Sequence, residues 1–362
     1  MVSAPLFRLD LPLTSSAPPR EPRMVEAERA ADTAIDRLRQ QLAEVEAGKR
    51  DRIELPKALL RGADLSGLDL TGADLSGANL AEANLTRTVL FGADLSGAAL
   101  VDATLDEVEL SGANLRGAFL HGARGRQAGL GGASLVGADL GDARLPGVSL
   151  VDADLEGADL RCASFEEGRL NGAKLSGADA TSACLRGADL SGVAMGGGTF
   201  DRCDFRGALI LEVIDYEHAR FIGADIRDVP PLGAQLWKRF VADQNYLAEF
   251  RARGRGAEIW YQLWWLTSDC GRSLSRWAAA TTIQLLLFGL AYTQLAVDYG
   301  AHATALSPYY FSVVTMTTLG YGDVQPASMG AQLVAMLQVI LGYVMLGGLL
   351  SILSNKMARR AD

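Results

Sequence analysis

From Leu65 to Ile210 an apolar residue returns at every fifth position, a column of 30 places in which only Gly125 and Ala180 are not Leu, Phe, Met or Ile. Two places ahead of each there is usually a small residue, Ala in 22 of the 30, and Asp or Asn often fills the place between, as in Ala73-Asp74-Leu75 and Ala113-Asn114-Leu115. A helix repeats every 3.6 residues and a flat strand every 2, so neither holds a five-residue column on one face. A square coil with one pentapeptide per side does. The Leu or Phe and the preceding Ala then both point inward and stack on their equivalents in the coils above and below. The register slips after Ile210, with Phe221 and Ile226 one place off the column, which predicts a loop around Asp215–His218. Gly125 marks a second weak point.

Other patterns flank this one. Residues 1–23 read as a flexible tail. Within residues 24–50, Ala31, Ile35, Leu38, Leu42 and Val45 recur at helical spacing over about two heptads. That amphipathic helix either caps the open first coil or serves as a coiled coil. Repeats occupy 51–229, and Pro230-Pro231 stops them. Residues 230–273 form a linker with a partial apolar stripe at Leu236, Phe240, Leu247 and Phe250, then a basic stretch, Arg251 to Arg255. Trp260, Trp264, Trp265 and Trp277 follow, so Glu258–Asp269 reads as an interfacial helix on the inner leaflet. Residues 274–362 hold two apolar runs, Trp277–Val297 and Gly330–Leu353, of 21 and 24 residues. Each is long enough to cross the ~30 Å hydrocarbon core as a helix. Arg272 and Arg276 precede the first run, Lys356, Arg359 and Arg360 follow the second, and Asp298–Ser328 between them has no basic residue. The positive-inside rule predicts a multi-pass protein of the cell (cytoplasmic) membrane with both termini in the cytoplasm.

The repeat resembles the pentapeptide-repeat family, whose motif A-(D/N)-L-x-x recurs through residues 55–226. The resemblance implies a right-handed quadrilateral β-helix with four repeats per coil. Thirty repeats then make about 7.5 coils, a rod roughly 36 Å long at the ~4.8 Å spacing of paired strands. Acidic rods of that family include DNA mimics that bind type II topoisomerases. The plainer reading is that Asp and Asn are solvated or turn-bonding positions of the motif.

The connection between the apolar runs carries the chemistry. Ser307-Pro308 reads as a helix start, N-cap then proline, and Tyr309–Met316 as a short helix. Thr317-Thr318-Leu319-Gly320-Tyr321-Gly322-Asp323 follows. Gly320 and Gly322 alternate with side-chained residues, which lets successive carbonyls face the same way. Irregular backbone is tolerated at membrane depth only where it lines a wet path or is buried in protein. A ring of carbonyls, with the Thr318 hydroxyl, can replace the hydration shell of a potassium ion. This segment closely resembles the selectivity filter of potassium channels, built from four T-V-G-Y-G loops.

That resemblance covers about residues 277–356 and implies an all-α two-transmembrane pore with one pore loop per chain, hence a homotetramer. By position it gives ion-binding carbonyls to Thr318, Leu319, Gly320 and Tyr321, the outer end to Gly322 and the outer mouth to Asp323. Tyr310, Phe311 and Thr317 support the filter, the first two by bracing Tyr321. Leu319 replaces the usual valine. Val314 stands where some members carry a Glu that pairs with the filter Asp. Gly342 falls where the family has its inner-helix hinge, with Gly347-Gly348 a competing bend and close packing an alternative use. Leu349 and Leu353 either narrow the pore near its cytoplasmic end or face lipid and neighbouring helices.

Charge and composition narrow the classes further. The 362 residues suggest two or three domains, and 40 glycines without a G-X-Y period exclude collagen. Four cysteines exclude a disulfide scaffold. Cys162, Cys184 and Cys203 read as small packing residues, and His121 and His218 as isolated, so no metal beyond permeant potassium and no cofactor is expected. Net charge is −9, divided as −12 over residues 1–234 and +3 over 235–362, which argues against nucleic-acid binding by phosphate neutralisation. Neither an enzyme's constellation nor an arginine-rich voltage sensor is present in the sequence. The expected function is a homotetrameric potassium channel in contact with membrane lipid. Its cytoplasmic repeat domain regulates gating or assembly and offers a surface to an unknown cytosolic ligand or protein. A membrane-tethered interaction protein with a vestigial pore is the alternative.

Overall fold

The computed structural model describes residues 22–300, 303–320 and 322–358, with side chains described from 32 to 354 within these. Two units, Met1–Val241 and Ala242–Asp362, divide the chain.

In the first unit parallel bridges join residues twenty apart, from Glu54↔Asp74 and Leu59↔Asn79 through to Ala194↔Ile214. Twenty residues are four pentapeptides, so each coil is a square with one repeat per side: a quadrilateral β-helix. Leu80, Leu100, Leu120 and Leu140, four coils of one column, are each 0% exposed, as are Ala78, Ala98 and Ala118 ahead of them. The corners explain the glycines. Two places past the column the chain turns through left-handed backbone, which Gly62, Gly67, Gly72 and Gly77 adopt with φ between 63° and 69°. The Asp and Asn positions bond their own turns: Asp74 Oδ1 accepts the Ser76 N–H at 3.0 Å and its hydroxyl at 2.7 Å, and Asp189 and Ser191 repeat the pattern. At Gly125 the backbone lies so close to Leu105 that a Cβ would collide with the Leu105 carbonyl group, which accounts for the gap in the apolar column.

The register slip has a local cause. Thr199↔Arg220 and Asp204↔Asp225 are each 21 residues apart, and the extra residue is absorbed by a 3₁₀ turn, Tyr216–His218, entered through Asp215 at φ 57°. Cys203 is fully buried as expected of a packing residue, but Cys162 is exposed at a corner with φ 58°, so it packs nothing.

Both ends of the rod are covered. Helix α1 (Pro22–Glu46) lays Ala34 and Leu38 into the core, with Ile35, Leu42 and Val45 beside them. Gln41 treats the first coil as a strand partner, its Nε2 donating to the Glu54 carbonyl at 3.0 Å and its Oε1 accepting the Glu54 N–H at 2.7 Å. At the other end α2 (Gln235–Ala252) inserts Trp237, 2% exposed, among Phe205 and Phe221 with ring centroids 5.3 and 5.5 Å away. The sequence pattern alone places Trp237 in the linker 230–273, because no period includes it.

The second unit is helical: α3 (Arg255–Ser268), α4 (Leu274–Thr293), α5 (Ser307–Met316) and α6 (Met329–Ala358). Strands β1 (Val297–Asp298) and β2 (Gln325–Pro326) pair antiparallel, closing the segment that holds α5. α4 and residues Met329–Ser354 of α6 are long and apolar enough to cross a membrane. Of the most apolar window in each, only 6% and 11% is buried, so their apolar surfaces call for lipid or further copies as neighbours. On α3, Ile259, Trp260 and Leu266 are exposed, and the Arg276 guanidinium lies 5.1 Å from the Trp265 ring centre.

Candidate ion pathway

Helix α4 starts cleanly because the Ser273 hydroxyl accepts the Arg276 N–H at 3.2 Å. The start of α5 differs from expectation. Ser307 is the first residue of the helix, and its hydroxyl accepts the Thr304 N–H at 2.8 Å, closing the preceding turn instead of capping. Pro308 then sits in the first turn, where a missing N–H costs nothing.

Two glycines let α5 settle between α4 and α6. On α4, Gly289 faces the Tyr309 ring so closely that a Cβ would overlap it. On α6, Gly342 is buried, and a Cβ there would stand 2.5 Å from the carbonyl oxygen of Met316, the last residue of α5. Gly342 thus has a packing role. Further along α6, Gly347 meets open space, while Gly348 lies beside the Trp277 indole, whose Nε1 donates to the Met345 carbonyl at 3.0 Å. Leu349 is half-buried and Leu353 exposed.

Between the two glycine contacts lies a buried polar chain that sequence reading missed. The Tyr292 hydroxyl of α4 donates to Gln338 Oε1 of α6 at 2.8 Å. Gln338 Nε2 donates to Ser312 Oγ at 2.7 Å and to the Ser312 carbonyl at 2.9 Å on α5. Ser312 Oγ donates onward to the Leu285 carbonyl of α4 at 2.8 Å. A signal was available: two glutamines, Gln332 and Gln338, stand inside the apolar run Gly330–Leu353, and Gln338 is the one deeper in it.

Past α5 the backbone changes hand at alternate residues. Thr318, Gly320 and Gly322 have φ of 56°, 49° and 76°, and Leu319 is not among the residues with positive φ. The Thr318 and Leu319 N–H groups turn back to the Thr315 and Val314 carbonyls, each at 3.2 Å. Thr317 folds its hydroxyl onto the Val313 carbonyl at 2.8 Å. Residues 317–320 are exposed in the single chain, Leu319 by 60%. Tyr321 lies outside the described residues. Tyr310, read as a brace for it, donates its hydroxyl to Asp323 Oδ2 at 3.0 Å, so Asp323 has a partner although position 314 is Val. Phe311 packs on Tyr292 at 4.7 Å and borders a cavity of about 410 Å³ behind Gly320 and Gly322. A second cavity, about 270 Å³, lies below Thr318 between Trp277 and Gly342.

Fold and site together define a membrane pore module carried with a pentapeptide solenoid. Comparison with known proteins agrees. Residues 278–359 match the ion channel family model, and residues 54–208 match pentapeptide repeats in eight copies. An 84-residue stretch, 22% of the chain, is 43% identical to two pore potassium channel b of Oryza sativa subsp. japonica, covering 24% of that protein. Another, 23% of the chain, is 35% identical to two-pore potassium channel 1 of Arabidopsis thaliana, again over 24% of its length. The chain thus spans about a quarter of each plant channel it matches. Among solved structures, QnrB1, a plasmid-mediated fluoroquinolone resistance protein, is 22% identical over 51% of this chain and 92% of its own, with a TM-score of 0.45. HetL, a pentapeptide repeat protein of the cyanobacterium Nostoc, is 32% identical over 52% and 96%, with a TM-score of 0.27. The chain joins an ion-channel pore domain of the potassium-channel type to an N-terminal pentapeptide-repeat domain.

Proposed function

We propose that the protein is a potassium-selective channel working as a homotetramer, with residues 317–323 of each chain forming one wall of the filter. The alternating left-handed φ at Thr318, Gly320 and Gly322 carries this reading. Backbone that alternates in hand turns consecutive carbonyls to one side, whereas an ordinary strand turns them to opposite sides. With the Thr318 and Leu319 N–H groups bonded to α5, oxygen is what the segment has left to offer. Thr318 is not glycine, so its left-handed backbone costs about 1 kcal/mol, a strain typical of functional segments. One chain supplies a single wall; four around an axis supply rings of oxygen that replace water about an ion. Leu319 in place of valine changes little, because the backbone coordinates. Asp323, tied to Tyr310, stands at the outer mouth.

On this reading α4 and α6 cross the cell membrane with both termini cytoplasmic, α3 lies on the inner leaflet, and the repeat domain regulates gating or assembly from the cytoplasm. The close contact at Gly342 supports a bend at Gly347-Gly348, leaving Leu349 and Leu353 beyond it as the cytoplasmic constriction. The test is electrical. Purified protein in lipid vesicles under a potassium gradient should give a reversal potential near that of potassium, and barium should block the current. Equal passage of sodium and potassium would overturn the proposal.

A further inference from the structure

We infer that Gln338 is a positioning residue for the filter, setting the rotation and depth of α5 and through it the geometry of the Thr318 oxygen ring; this rests on the filter being the ion path. Gln338, Ser312 and Tyr292 are each 0% exposed. A carboxamide deep in an apolar helix is costly to desolvate, and a similar-sized apolar residue would pack without that cost. What the carboxamide adds is direction. Its nitrogen donates to both the side chain and the carbonyl of one residue, Ser312, which fixes how α5 is turned as well as how near it lies. Its oxygen is held by Tyr292, and Ser312 passes the last hydrogen to Leu285, so α4, α5 and α6 join in one directed chain whose members are all satisfied.

One helical turn beyond Gln338, Gly342 receives the Met316 carbonyl. The inner helix therefore grips α5 at two points, and the second adjoins Thr317 and Thr318. In a fourfold ring, any roll of α5 repeats in every subunit and changes the ring by four equal displacements. Removing the carboxamide leaves apolar packing and the Ser312–Leu285 hydrogen bond to α4, but takes away the paired bonds by which α6 indexes the rotation of α5.

The experiment compares the full-length wild type, Gln338→Met, Ser312→Ala and Ser312→Thr in vesicles, measuring barium block and the rubidium-to-potassium permeability ratio. Barium has nearly the size of potassium, so its block reads the ring itself, whereas poor assembly lowers only current amplitude. Gln338→Met should weaken block about fivefold, as expected for losing interhelical hydrogen bonds in apolar surroundings, and shift the permeability ratio. Ser312→Ala should move both in the same direction, and Ser312→Thr, which keeps the hydroxyl, should stay near wild type. Wild-type block and ratio in Gln338→Met would overturn the inference; should that variant not assemble, unchanged values in Ser312→Ala decide the same way. Failure of the wild type itself to select potassium would sink the reading of the filter instead, so the two failures are distinct.

Discussion

Cys162 sits at a corner with φ 58°, and most corners of the rod, though not those directly above and below it, are glycine. Left-handed backbone costs a side-chained residue about 1 kcal/mol, so Cys162→Gly should raise stability by a similar amount, seen as a higher denaturation midpoint. The carboxylates beside the corners set the acid limit. The Thr71 hydroxyl and N–H hold the Asp69 carboxyl below the usual carboxylate range, and Ser76 does the same for Asp74. A carboxyl so depressed binds fewer protons folded than unfolded. Its contribution is complete above the ordinary value of about 4 and is lost as pH falls through the folded value. Thermal melts of the full chain should therefore hold steady from pH 7 to 5 and fall below about pH 4; a melt unchanged at pH 3 would contradict this. Among single residues, those in a period were legible and those acting alone were not. Leu120 could be placed in the core from its column. Gln338 could not be assigned a partner, because Ser312 and Tyr292 lie 26 and 46 residues away with no spacing rule connecting them.

The caps show the same division among elements. The stripe Ile35, Leu38, Leu42, Val45 announces an amphipathic helix, and the slip after Ile210 announces an insertion; both are breaks or continuations of a period. Trp237 falls outside any period, and of its partners Phe205 reads as an ordinary large residue of the column and Phe221 as one displaced by the slip. Trp237→Ala should cost about 3–5 kcal/mol in the repeat domain, the usual price of emptying an aromatic site. Gln41→Ala should bare the main-chain edge at Glu54, and such edges recruit other chains, so light scattering should show faster association on warming. In the pore, Gly342→Ala forces α6 away from Met316 and should disrupt conduction, while Gly347→Ala meets open space and should leave assembly intact. Comparing single-channel currents of the two variants separates packing from bending.

For the complete chain, the boundary matters to any test of regulation. Trp237 and Phe240 pack with Phe221, so a truncation at the end of the repeats would strip them of their partners; the cut belongs after Val241. Channels lacking residues 1–241 should assemble yet show altered open probability, and identical gating under every stimulus tried would leave the rod as an assembly or docking element. Period five made the first half readable because it repeats a local rule, and Thr317–Asp323 pointed to a pore domain because its residue types stand together in one contiguous stretch. What the α5 helix leans on was not readable, since it is written in distant, unrelated positions.

From Glu54 to Ile214 each coil presents the next with the same backbone cross-section after twenty residues. Rod length is therefore quantised: inserting or excising one full circuit shifts the far end by a single ~4.8 Å layer and leaves each junction chemically unaltered. Evolution, or an engineer, can lengthen such a spacer in whole layers without redesigning any contact, while a change of five or ten residues would swing the far end by a quarter or half revolution.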